Sequence, residues 1–320
     1  MSDNYLQNIA TVGASGNVGA STIKHLLQIN PNISITIITR ESSKAMFPDS
    51  PQTTVRKGSY NDPAFLESAF QGHDLAMFTL SFEATKGQTS LIDAAAKAGV
   101  EWIIPNEYSG DGNNEKWSTG VPLVQDKIAA RRQIQELAKE HAGLKYIAVA
   151  TNPWTELSIN SGMFGLDVPH RSATLFSDGG RFNSTSAGQV GLGIARLLSL
   201  PITSSSNPRA SLQHYANTYV YLSSFSITQQ DLFNSIKKAT KTNDVDWKLE
   251  TMSIQDRIRE FKGKFEEGDF WAGAALSYCH YMGEGLGGDY ESKAKDDRKV
   301  LQLKEEDLDA VVKGALAASG

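Results

Sequence analysis

The first residues whose spacing could do chemistry are the glycines of Gly13-Ala14-Ser15-Gly16-Asn17-Val18-Gly19. They stand between a short apolar run, Ile9-Ala10-Thr11-Val12, and a segment whose positions Gly19, Ile23, Leu26 and Leu27 follow helical spacing. In a strand–turn–helix of this kind the first glycine permits a tight turn and the second lets a pyrophosphate approach the backbone. The third lets the helix pack on the strand. The helix start then offers unpaired N–H groups and the positive end of its dipole to phosphates. With Ser15, Asn17 and Val18 completing the loop, the pattern predicts dinucleotide binding, an ordinary turn being the alternative.

The end of the second strand selects the dinucleotide. An NAD site places an acid there, about twenty residues on, to bond the ribose hydroxyls. This chain has Thr39-Arg40-Glu41-Ser42-Ser43-Lys44. Arg40 would pair with a 2′-phosphate as a two-pronged donor and Lys44 as a point charge, while the Glu41 side chain points away from its neighbour's. The residues favour NADP(H); read without a ligand they form a solvated charged loop.

These groups need a scaffold, and the first half supplies one. Apolar, β-branched runs at 9–12, 33–39, 53–55, 74–80, 102–104 and 146–150 alternate with helical patterns. One of these helices is long, 122–141, and carries Ile128, Ile134 and Leu137. Six strands separated by helices predict an α/β fold, a Rossmann-type doubly wound parallel sheet. Its carboxyl edge would gather Thr79 and Ser81, then Asn106, Glu107 and Tyr108, then Asn152 and Trp154. The pattern is irregular beyond Thr151, with a strand at 173–176, a helix ending at Pro201 and a strand at 219–222. Helices follow from Thr228 and at 253–265, 269–282 and 305–316. The expected division is a cofactor domain over 1–155 and a smaller, interleaved α+β substrate-binding part over 156–320. Segments at about 183–230 would return to the first domain.

Several segments together resemble the isoflavone reductase-like, NmrA-like branch of the short-chain dehydrogenases. They are the glycine loop with Arg40, Pro105-Asn106-Glu107-Tyr108-Ser109-Gly110-Asp111, the helix over 122–136, Asn152, and Glu305-Glu306-Asp307-Leu308-Asp309. Most short-chain dehydrogenases carry a tyrosine four residues before a lysine on this helix; here Leu123 precedes Lys127. The resemblance implies that Lys127 lies by the nicotinamide as a catalytic residue, with Asn152 in a nicotinamide-contacting turn. The residues alone leave Lys127 open between a proton-transfer group in an apolar cleft and a lysine covering the helix surface with its methylenes.

Other candidates are more diffuse. Tyr108 and Trp154 could meet substrate or simply pack. Phe270, Trp271, Tyr278, His280 and Tyr281 share one helical stretch that could receive a flat substrate or serve as core. His170 and His280 are the histidines that could act as acid or base. The one cysteine, Cys279, excludes an intrachain disulfide and a multi-thiolate zinc site, and reads as a small buried hydrophobe. No metal is expected.

The formal charge of −5 argues against general polyanion binding, so no direct nucleic acid partner is expected. No stretch resembles a signal peptide or a membrane span, which points to the cytoplasm. The second half differs from that of the short-chain dehydrogenases that pair through a four-helix interface, so a monomer or weak homodimer is expected, with a small molecule as substrate. The reading is an NADPH-dependent reductase of an aromatic or polycyclic secondary metabolite, with hydride going to a C=C, C=O or benzylic ether carbon. The alternatives are an NADP(H)-sensing regulator working through a protein partner, and a non-redox cyclase or isomerase on the same scaffold.

Overall fold

A computed structural model describes residues 4–319, apart from the side chains of Phe82, Glu83 and Ser319. The first half runs β1 (Asn8–Val12), α1 (Asn17–Ile29), β2 (Ser34–Arg40), β3 (Thr53–Gly58), α2 (Pro63–Phe70), β4 (Leu75–Phe78), α3 (Gln88–Lys97) and β5 (Trp102–Ile104). It continues through α4 (Glu115–Gly120), α5 (Gln125–Leu137) and β6 (Lys145–Ala150). Next come α6 (Thr155–Asn160), β7 (Leu166–Asp167), β8 (Ser172–Phe176), β9 (Phe182–Ser184), α7 (Ala187–Leu198), β10 (Thr218–Tyr221) and β11 (Phe225–Ile227). The chain closes with α8 (Gln229–Thr240), β12 (Lys248–Met252), α9 (Ile254–Glu266), α10 (Phe270–Met282), α11 (Glu291–Val300) and α12 (Leu308–Ser319).

The main sheet has seven strands in the order β10-β6-β5-β4-β1-β2-β3, every pair parallel. Strands buried on both faces need apolar residues at every position, and β1 shows how they divide. Ile9 joins a core with Ile23 and Leu26 of α1 and Val190 and Ile194 of α7. Ala10 and Val12 join the opposite core with Leu66 and Phe70 of α2, Leu91 and Ile92 of α3, and Ile134 of α5. The strand order reverses at β1, between β2 and β4, the point at whose carboxyl edge open α/β sheets bind their ligands.

Two segments from the second half build onto this sheet: β10 extends it beyond β6, and α7 packs on α1. The remainder forms a smaller lobe with a three-stranded sheet, β12-β8-β7, and a β9–β11 pair. Its core holds Phe164, Phe182, Phe233 and Trp247.

Two helices differ from the sequence expectation. The segment over 122–141 opens with a 3-10 turn at Pro122–Val124, and the α-helix stops at Leu137. At the other end α12 begins at Leu308, because Glu306 is spent elsewhere: its Oε2 accepts from the hydroxyls of Ser186 (2.7 Å) and Ser224, pinning extended chain to the start of α7.

Candidate functional site

The glycine loop closes the end of β1 against the end of β4. Gly13 has φ +89°, and a Cβ there would lie 2.1 Å from the Thr79 carbonyl oxygen. At Gly19 a Cβ would lie 2.6 Å from the Gly13 carbonyl oxygen and 2.7 Å from Thr79 Oγ1. Thr79 is itself buried, its hydroxyl donating to the Val12 carbonyl at 3.1 Å. These two glycines are thus demanded by the protein's own packing.

Gly16 is different. Its φ of −77° suits any residue, and the nearest atoms to an added Cβ are 3.4 and 3.6 Å away. It is exposed along with Ser15 and Asn17, and Val18 is buried behind them. The first α1 bond runs from Ala20 N–H to the Gly16 carbonyl at 2.8 Å, so the amides of Asn17, Val18 and Gly19 have no acceptor within the helix. No acidic residue occupies that first turn. A glycine that neither packing nor dihedral angle requires, set before a row of free amides, fits a ligand phosphate brought against the backbone.

Arg40 ends β2, and Lys44 follows in a turn tied by Ser43 N–H to the Arg40 carbonyl at 2.9 Å. Both are exposed, and neither forms an ion pair among the described residues. Lys57 of β3, which the sequence did not single out, donates to the Ser43 carbonyl at 3.3 Å and adds a third cation to this corner.

At the ends of β5 and β6 the packing is dense. Asn106 is a clamp: its Oδ1 accepts from Leu80 N–H at 2.9 Å and its Nδ2 donates to Thr85 Oγ1 at 3.1 Å, joining the β4 and β5 ends. Ser81 is exposed at the start of the turn between them. Asn152 adopts φ +51°; its amide donates to the Gly288 carbonyl at 2.6 Å, while its Oδ1, on a residue 2% exposed, has no partner. An orphaned buried acceptor is costly, so this oxygen at the sheet's carboxyl edge fits a donor supplied by a ligand. Tyr108, at φ +45°, is buried in the core on the α1 and α7 side, its hydroxyl also without a partner.

Lys127 lies one helical position beyond the exposed Asp126 and turns inward, half-buried, its ammonium donating to the main-chain carbonyl of Glu107. Burial draws this amine down to about 8, against the Glu107 carboxylate, which favours the charged form. Glu107 is 2% exposed; its Oε1 lies 2.5 Å from Arg131 Nε, and its Oε2 accepts from the Tyr219 hydroxyl. Burial pushes the Glu107 carboxyl up, and Arg131 and Tyr219 pull it back. Leu123, in the position of the usual tyrosine, faces α10, where a Cβ on Gly273 would lie 3.0 Å from its Cγ.

The aromatic residues of α10 are not gathered into one pocket. Trp271 is 65% exposed, edge-on to Phe270. Tyr281 is buried, stacked on Trp117 with centroids 4.3 Å apart. His280 is buried against Gly120, its Nδ1 beside the Leu276 carbonyl at 2.9 Å, and burial lowers its pKa. Trp154 is half-buried, donating from Nε1 to Thr151 Oγ1 at 3.1 Å. His170 lies on an exposed turn beside Asp167 at 2.9 Å, outside the sheet edge. Burial pushes the Cys279 thiol up to about 12, as in a small hydrophobe. Among the described residues no cluster of three or more His, Cys, Asp or Glu could hold a metal ion, and no helix is long and apolar enough to cross a membrane.

The sequence profile of the NmrA-like family matches residues 6–174. The oxidoreductase aprR of Aspergillus flavus is 28% identical over 311 residues, covering 96% of this chain and 98% of its own length. Among solved structures, AtPrR2 with NADP+ and (+)-pinoresinol superposes with a TM-score of 0.72 at 17% identity, covering 97% of this chain and 98% of that one. The NADPH-dependent quinone oxidoreductase QOR2 of Escherichia coli, complexed with NADPH, gives 0.67 at 19% identity, covering 96% and 99%. At these identities the structural likeness is one of fold.

Proposed function

Because this chain belongs to the NmrA-like family, we propose that it is an NADPH-dependent reductase of an aromatic or polycyclic small molecule, with Lys127 assisting proton transfer. The oxidoreductase name of the 28%-identical relative and the NADP(H)-bound structures of like fold support a redox role. The observation that carries the assignment is Lys127 itself: a half-buried amine drawn to about 8 and held on the Glu107 carbonyl at the carboxyl end of β5. An amine with that pKa is present in both protonation states near neutrality, which suits it to give a proton to a developing oxyanion or carbanion.

The cofactor, when bound, supplies a hydride for a C=C, C=O or benzylic ether carbon. The chain's own residues do the rest. Gly16 and the amides of Asn17, Val18 and Gly19 receive the pyrophosphate, with Gly13 and Thr79 fixing the turn. Arg40 and Lys44 pair with the 2′-phosphate, and Asn152 Oδ1 accepts from the nicotinamide end. Residues 1–155 form the cofactor half and 156–320 the substrate part, with α7 and β10 returning to the first. Trp154, which follows β6 at this edge, is the candidate substrate contact.

The test is an NADPH titration followed by a screen for NADPH oxidation against quinone, phenylpropanoid and polyketide panels. Turnover that requires Lys127 supports the reductase. Tight NADPH binding without oxidation of any panel member overturns it in favour of a cofactor-sensing or non-redox role.

A further inference from the structure

We propose that Glu107 is a positioning residue for the reaction: its buried carboxylate, gripped by Arg131 and Tyr219, fixes the main-chain carbonyl on which the Lys127 ammonium rests. The inference builds on the assignment of Lys127 to proton transfer, and its anchoring can be tested apart from that assignment.

A carboxylate at 2% exposure is an expensive thing to keep. If its only task were to join secondary structure, apolar side chains of similar volume would do as well. The arrangement around it has a narrower purpose. Lys127 and Arg131 are one helical turn apart on α5 and therefore lie on one side of the helix. Both reach Glu107, Lys127 at the carbonyl and Arg131 at the carboxylate, where Nε and Oε1 are 2.5 Å apart. The helix is thus fastened twice to a single residue, and one of the two fastenings is the amine in question.

The other groups prevent the carboxylate from moving. The Tyr219 hydroxyl, from β10, donates to Oε2 and accepts from Gly112 N–H at 3.2 Å. Arg131 also donates from Nη1 to Asn113 Oδ1 at 3.1 Å, and its guanidinium carbon lies 5.0 Å from the centroid of the Tyr219 ring. Helix α5, strand β10 and the loop over 110–114 all converge on the end of β5. The residue after Glu107 has φ +45°, disfavoured for a tyrosine, and Ser109 bridges to Ala150 immediately beyond. The Glu107 carbonyl therefore has an orientation that the chain would not keep without these anchors.

The charged and titratable groups around Lys127 are Glu107 from the loop after β5, Arg131 and the exposed Asp126 on its own helix, and Tyr219 from β10. Glu107 is the one whose charge acts on the amine, and it favours the protonated form. Glu107→Gln keeps the shape, removes that charge and loosens the Arg131 pair.

The experiment follows the Lys127 side chain by NMR of lysine-labelled protein, with Lys127→Met to assign the signal, and measures turnover and NADPH affinity in parallel. In Glu107→Gln the Lys127 midpoint is expected below its wild-type value of about 8. The alkaline limb of the pH–rate profile should move down with it, kcat should fall about 10- to 100-fold, and the NADPH Kd should stay within about threefold. Tyr219→Phe removes one grip and keeps the charge; it should lower kcat less and leave the midpoint in place. An unmoved Lys127 midpoint in Glu107→Gln, or unchanged kcat in both variants, overturns the proposal. Should Glu107→Gln fail to fold, Tyr219→Phe decides: reduced kcat at unchanged NADPH affinity supports the anchor, and wild-type kcat refutes it. If Lys127→Met turns over normally the assignment of Lys127 to proton transfer falls, yet the midpoint shift still decides the anchoring.

Discussion

Replacing the loop glycines one at a time separates what the fold needs from what a ligand needs. Alanine at Gly13 would have to hold φ +89° with its Cβ 2.1 Å from a backbone carbonyl oxygen. The left-handed conformation costs about 1–2 kcal/mol and the overlap a further ~1–3. A loss of that size lowers Tm by about 3–7 °C in a chain of 320 residues. Alanine at Gly16 keeps an ordinary φ of −77° and meets nothing closer than 3.4 Å. The poorer N-cap costs about 1 kcal/mol, partly offset by a less flexible unfolded chain, so Tm should move little. In the proposed binding mode the same methyl would stand between the phosphates and the amides of Asn17 and Val18. Losing one charge-assisted hydrogen bond, about 1.5–3 kcal/mol, weakens NADPH binding roughly 10- to 100-fold. Differential scanning calorimetry and fluorescence titration of NADPH on both variants provide the comparison. Wild-type NADPH affinity in Gly16→Ala, or a Tm loss there matching that of Gly13→Ala, would remove Gly16 from the phosphate site.

Three further outcomes are expected. Arg40→Ala should weaken NADPH binding by about 1–3 kcal/mol and leave NADH nearly unaffected, and equal losses in parallel titrations would remove Arg40 from the 2′-phosphate site. Gly120→Ala would press a Cβ to 1.9 Å from His280 Nε2; about 1–3 kcal/mol of stability should go without loss of NADPH affinity, as for a packed rather than ligand-facing histidine. Asp297, 7% exposed, is raised by burial from 3.8 to about 6 despite hydrogen bonds from Tyr221 N–H (2.7 Å) and Tyr215 Oη (2.9 Å). Between those two pH values the folded chain holds a proton that the unfolded chain has released, so this contribution, full below 3.8, is lost as pH rises through 6. Urea titrations should show wild type losing about 2 kcal/mol relative to Asp297→Asn from pH 4 to pH 7, and parallel curves would contradict it.

The cofactor corner was legible in sequence because its signals are local. The Gly13 to Gly19 loop and Arg40 each sit at the end of a strand whose apolar run is unmistakable, and all seven sheet strands were read as strands, the last of them, β10, without its place beside β6. The anchoring of Lys127 was not legible, because Glu107, Arg131 and Tyr219 come from three elements and meet only through the tertiary fold. The available hints were weak: an acid ending a strand, and an arginine four residues after the lysine. Helix α11 was missed because its buried residues are Ala294 and Asp297, leaving no apolar stripe. Strand β12 was missed because four of its five residues are exposed. The α10 aromatics share a stretch of sequence but not a face, so Trp271 reaches solvent while Tyr281 enters the core.

In the proposed reaction Lys127 manages a proton during NADPH oxidation. The most direct test of this role is the single-turnover rate of NADPH oxidation from pH 6 to 10, in wild type and in Lys127→Met, with a substrate taken from the screen. The wild-type rate is expected to fall about tenfold per pH unit above a midpoint near 8, as the ammonium is lost, and the Lys127→Met rate to be about 100-fold lower and without that limb. A Lys127→Met enzyme showing the wild-type rate and the same alkaline limb would contradict it.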